Sequence, residues 1–135
     1  MITTTLPIFT VSEANRREHH MVRHRRRKKQ RADAHMLMKQ FKRPRLPVTI
    51  TLTRVAPRIL DSHDNLPMSL KSAVDGICDW LGVDDQSEEV RILYGQIKRP
   101  ATHEIHVRIE EFRPTELRGY ECQMIDFKRI PCAIT

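Results

Sequence analysis

The sequence predicts a small α+β domain in which a mixed sheet carries two helices, in the order β-α-β-α-β-β. Three observations lead there. Val48, Ile50 and Leu52 alternate with Thr49, Thr51 and Thr53, the two-residue period of a half-buried strand. Leu66, Leu70, Ala73, Val74, Ile77 and Leu81 recur at three- and four-residue spacing, the period of a core-facing helix over 65–81. A chain of 135 residues that is 39% hydrophobic and 30% charged has material for one modest core and does not resemble a disordered protein.

The remaining elements follow in chain order. Residues 1–10 are threonine-rich and are expected to supply a first strand. Ser12 or Asn15 is expected to cap a long helix, since either side-chain oxygen can accept from free backbone N–H groups. No glycine or proline interrupts the chain from about Asn15 to Lys42, so the helix is drawn over that span, with Pro44 ending it. Ala34, Leu37, Met38 and Phe41 give its second half one apolar face. After the strand at 48–53, Ala56-Pro57-Arg58 forms a break, and Gly82 is placed as the C-cap of the second helix. Val90, Ile92 and Tyr94 predict a third strand. Ile105, Val107 and Ile109, alternating with Glu104, His106, Arg108 and Glu110, predict the last. Residues 1–112 are taken as the domain and 113–135 as a C-terminal tail.

Charge narrows the classes of function. A formal net charge of +7 and a pI near 9.8 point to nucleic acid or another anionic surface. The cations cluster at Arg16, Arg17, Arg23, Arg25, Arg26, Arg27, Lys28, Lys29 and Arg31, where a phosphate backbone would relieve their mutual repulsion. His19, His20 and His24 are read as extending that face rather than as a metal site. Aromatic residues are sparse, which argues against a base-stacking single-strand binder and for contact with backbone and shape. No apolar run approaches the roughly 18 residues of a membrane span. The N-terminus lacks the basic-then-apolar order of a secretion signal. Cys78, Cys122 and Cys132 show no C-x-x-C spacing, so a reduced, cytoplasmic protein without a membrane partner is expected.

Acidic residues bracket the second helix. At about 100° per residue, Asp64, Lys71 and Asp75 fall within roughly 40° of one another, opposite the apolar face. Asp61 precedes the helix by a short loop; Asp84 and Asp85 follow it, where the chain can turn back. Carboxylates converging on a short element suit a hard divalent cation. The residues equally allow an ordinary reading: Asp64 or Asn65 as a cap, Lys71–Asp75 as an i,i+4 ion pair worth a few tenths of a kcal/mol, and Asp84–Asp85 as a solvated turn.

The segment resembles the signature of the RusA family of Holliday junction resolvases, found mostly in phages and prophages. The matching pieces are Asp64-Asn65-Leu66, Lys71 with Asp75, and Asp84-Asp85. They are flanked by similar stretches at 15–19, 46–54 and 94–96. The resemblance covers roughly residues 10–112. It implies a homodimeric endonuclease that resolves four-way DNA junctions in recombination and repair, with magnesium or manganese as cofactor. By match, Asp64 and Asp85 would be metal ligands, Lys71 the catalytic lysine, and Asp75 and Asp84 their support. The chain departs from the pattern at Ser62, where the family's first metal aspartate falls; Asp61, one residue outward, is taken as its replacement, and His63 stands where many relatives carry another acid. A protein that kept the fold and the affinity for junctions but weakened or lost the chemistry is the alternative. A small basic RNA-associated protein is a third reading.

Overall fold

The structure, a computed structural model, describes residues 1–12 and 18–112. It contains β1 (Ile2–Leu6), α1 (His20–Met38), β2 (Val48–Ala56), α2 (Asn65–Leu81), β3 (Val90–Lys98) and β4 (Glu104–Glu111). The four strands form one sheet in the order β1-β4-β2-β3. β2 and β3 run parallel, while β4 is antiparallel to both β1 and β2. This is the α+β domain with a mixed sheet that the periodicities predict. The expectations for residues 113–135, for Asn15 as a cap and for Arg16 and Arg17 lie outside the described residues.

Two parallel neighbours cannot be joined by a tight turn and need a crossover. α2 is that crossover. Its Leu66, Leu70, Val74 and Ile77 are buried in one core with Val48, Ile50 and Leu52 of β2 and Ile105, Val107 and Ile109 of β4. The entry loop with Asp61–Asp64 and the exit turn with Asp84–Asp85 therefore lie at opposite ends of a 17-residue helix, about 25 Å long at 1.5 Å per residue.

α1 packs along α2 and adds Ala34 and Met38 to the core, with Leu37 and Phe41 partly buried against it. Its limits differ from those expected. The helix starts at His20, and His19 is its N-cap, accepting the Met21 N–H at Nδ1 over 3.2 Å. Ser12 lies well before it. The reason is that the chain after β1 is already committed: Ile8, Thr10 and Val11 are buried, and the Phe9 carbonyl accepts from Gln30 Nε2 at 2.9 Å. That segment runs beside α1 instead of opening it. At the other end α1 stops at Met38, short of Pro44. Lys39 N–H to Met36 O and Phe41 N–H to Met38 O are i→i+3 bonds that tighten the last turn and bring Phe41 back to the core.

Gly76 sets how closely the helices approach. A Cβ at this position would lie 2.3 Å from the Arg31 carbonyl oxygen and 2.7 Å from Ala34 Cβ. Only a residue without a side chain lets α1 rest its backbone on α2 here. That close approach brings the basic helix within reach of the carboxylates of the acidic one.

Candidate nucleic-acid groove and carboxylate–lysine cluster

The cluster is assembled by the way α2 ends. Gly82 adopts φ 75°, a left-handed conformation that costs glycine little. Val83 N–H then bonds to Cys78 O (3.1 Å) and Gly82 N–H to Asp79 O (3.3 Å), the pairing of a Schellman turn. The chain folds back, and Asp84 closes the next turn by accepting the Gln86 N–H at 2.9 Å. This delivers the Asp85 carboxylate to Lys71. The Lys71 ammonium donates to Asp85 Oδ2 and, at 2.9 Å, to Asp75 Oδ1.

Lys71 is half exposed, whereas the Asp75 and Asp85 side chains are only 24% and 19% exposed. Burial alone would pull the Lys71 pKa down, but the hydrogen bonds to Asp85 and Asp75 outweigh it and hold the ammonium above its ordinary range. Reciprocally, the hydrogen bond from Lys71 holds the Asp85 carboxyl below its ordinary value. At neutral pH Lys71 is a fixed cation, not a base. Cys78 lies beside the cluster but is buried, and desolvation pushes its thiol up to about 12, reinforced by the Asp85 and Asp75 charges. Near pH 7 it stays a neutral thiol, which makes it a poor nucleophile.

Arg31 ties the two helices together over the same spot. Its Nε and Nη2 donate to the two oxygens of Asp79 at 2.7 and 2.8 Å, a bidentate pair, and Nη1 is 4.0 Å from Asp75. Between the helices lies a groove of about 520 Å³. His24, Arg27, Lys28 and Arg31 form its α1 wall; Lys71, Ser72 and Asp75 line it from α2. Pro67, Met68 and Tyr94 supply apolar surface. Of the other predicted phosphate contacts, Arg25 and Lys29 are exposed, with Lys29 paired to Asp33 at 2.9 Å. Arg23 and Arg26 turn toward Glu18.

Asp61 and Asp64 occupy the other end of α2, and both are exposed. Asp61 shapes its own loop: its carboxylate accepts the His63 and Asp64 N–H groups at 3.3 and 3.4 Å, and its carbonyl accepts Leu66 N–H at 2.8 Å. Asp64 precedes the helix with αR backbone and makes no side-chain capping bond. The cap falls to neither Asp64 nor Asn65: the Leu66 N–H is taken by the Asp61 carbonyl, Pro67 has no N–H, and the Met68 N–H bonds to the Asp64 carbonyl. Among the described residues, no hydrogen bond or ion pair joins Asp61 or Asp64 to Lys71, Asp75 or Asp85. Among the described residues, no group of three or more His, Cys, Asp or Glu stands where it could hold a metal. The four acids thus form two groups rather than a single donor set. Carboxylate oxygens such as those of Asp84 and Asp85 are the donor type that a hard divalent cation takes.

Two residues with no assigned role hold the entry loop in place. Gln96 Nε2 donates to Leu60 O at 2.7 Å, and Leu60 N–H donates to Gln96 Oε1 at 2.9 Å. Arg54, paired with Gln96 across the β2–β3 register, is buried and donates to Thr10 Oγ1 (2.8 Å) and Arg58 O (2.7 Å). Both Arg54 and Gln96 fall in stretches that carry the family resemblance, 46–54 and 94–96. Nothing local marked the Arg31–Asp79 pair, 48 residues apart.

Comparison with protein-family models, with curated proteins and with solved structures found no match to this chain. No helix among the described residues is long and apolar enough to cross a membrane.

Proposed function

We propose that the protein is a RusA-like, metal-dependent endonuclease that binds branched DNA and resolves four-way junctions by paired nicks, acting as a homodimer in the cytoplasm of a bacterium that carries its phage or prophage gene. The observation that supports this reading best is that the most basic helix and a carboxylate-held lysine share one groove. A phosphate drawn to Arg27, Lys28 and Arg31 arrives next to Lys71 without any rearrangement of the fold.

Each residue then has a definable task. Arg27 and Lys28 are point charges and forks for the backbone, and they bind without regard to sequence. Arg31 is held by Asp79, so it keeps α1 in register with α2 while adding charge at the groove wall. Lys71 exchanges its contacts with Asp75 and Asp85 for a phosphoryl oxygen and neutralises charge developing there. Asp75 and Asp85 keep its ammonium charged and aimed at the groove beforehand. A magnesium or manganese ion would be held by Asp84 and Asp85, and would supply an acidified water and further charge neutralisation. Asp61 and Asp64, at the other end of α2, complete the acidic set that the family resemblance implies.

Cleavage of a synthetic four-way junction with magnesium or manganese tests the reading. Lys71→Ala is expected to slow cutting by about 10²-fold or more, the usual loss when a transition-state charge partner is removed. Asp85→Asn and Asp64→Asn are expected to reduce it too. Cutting that none of the three changes affects would end the proposal. Ser62, where the family's first metal aspartate falls, and His63 beside it favour one other reading, a junction-binding protein of the same fold without catalysis. Tight, salt-sensitive binding with no metal-dependent cutting is its signature.

A further inference from the structure

We infer that the groove between α1 and α2 is a subsite for a single unpaired nucleotide, with its phosphate on the α1 wall and its base against Pro67, Met68 and Tyr94. The inference rests on reading the groove as a nucleic-acid site, and names what part of the DNA enters it.

The two walls differ in chemistry. On the α1 side stand Arg27, Lys28 and Arg31, all exposed cations. Facing them, the first turns of α2 offer Pro67 and Met68, and β3 offers Tyr94. Met68 is 44% exposed, although apolar side chains elsewhere on α2 are buried. A track for duplex backbone alone has no use for an apolar wall. A nucleotide does: it is anionic at one end and flat and apolar at the other. The volume, about 520 Å³, lies within the range of small-ligand sites, roughly 300–1,000 Å³, and is far too small for a duplex.

A base inside a duplex is stacked and paired, so it cannot reach this wall. Only a base already freed at a branch, bulge or end can enter without the cost of unstacking. The subsite therefore selects for interrupted DNA. Few aromatic residues are needed, because a single base requires one contact surface rather than a platform. Methionine adapts to each base without reading it, so the selection is for an unpaired base and not for sequence.

The test uses the full-length protein and three duplexes of equal length: one with a single unpaired thymidine, one with an abasic residue at that bulge, and one fully paired. Fluorescence anisotropy at fixed salt gives their affinities. The thymidine bulge is expected to bind about tenfold more tightly than the abasic bulge, the scale of one base contact. Met68→Ala and Tyr94→Leu are expected to erase that difference. Equal affinity of the wild type for the two bulged duplexes overturns the inference, whatever the variants do. Junction cutting by the same preparations separates the two proposals. Base preference without cutting keeps the subsite and removes the nuclease reading; cutting without base preference does the reverse.

Discussion

At Lys71, burial and ion pairing act in opposite directions, and pairing wins. The half of the pair contributed by Asp75 was legible in the sequence, because i,i+4 spacing on a helix is geometry enough. The half contributed by Asp85 depends on a turn 14 residues further on. Its pH dependence is distinctive. The Asp85 carboxyl is held below its ordinary value in the folded protein, so its stabilising contribution is present above about pH 4, the value in an unfolded chain, and is lost as pH falls through the lower folded value. Urea denaturation is therefore expected to find Asp85→Asn less stable than wild type by about 0.5–1 kcal/mol at pH 7, modest because Lys71 is half exposed. The gap should narrow as pH falls below about 4, the ordinary carboxylate value. A gap that does not change with pH would mean that Asp85 stabilises through something other than its charge.

Among the elements, α2 was read almost residue for residue, because its apolar period and Gly82 are local signals. For α1 the expected span, about Asn15 to Lys42, exceeds the helix, His20–Met38, at both ends. Its limits depend on where residues 8–11 and Phe41 pack, and neither is written in the helix itself. What joins the two helices is Gly76, which no periodicity singles out. Gly76→Ala improves helix propensity, yet its Cβ meets the Arg31 carbonyl. The steric term should win, with a net loss of about 1–3 kcal/mol as α1 is forced away. Thermal denaturation checks it. A melting temperature equal to or above that of wild type would show that α1 shifts at no cost and that the close approach is dispensable.

For the whole molecule, the distribution of charge matters more than its sum. The chain carries a formal +7; Arg23, Arg26 and Arg31 face acids, and Arg27, Lys28 and Arg31 line the groove. If DNA follows that groove, junction affinity falls steeply with salt, and the double variant Arg27→Ala, Lys28→Ala reduces the slope of log K against log[salt] by about 2. Titrations between about 50 and 200 mM salt measure it. An unchanged slope would move the phosphate path off α1. The order of elements and the mixed sheet were legible from periodicity and from the need for a crossover. The insertion of β4 between β1 and β2 was not, since strand order depends on which edges meet.

What the sequence determined by itself was each element's identity, the core-facing side of α2, the basic character of α1 and the lysine–aspartate pair on α2. All of these repeat within one or two turns of the chain, where backbone geometry alone relates the residues. β2, expected to be half-buried, is buried along its whole length, Thr49, Thr51 and Thr53 included. Only the tertiary structure decided that Arg31 clasps Asp79, that Asp85 reaches Lys71, and that Asp61 and Asp64 stand apart from them. Those relations depend on how a glycine lets two helices touch and how a left-handed turn redirects the chain. Such contacts arise from packing between distant segments, and no local pattern encodes them.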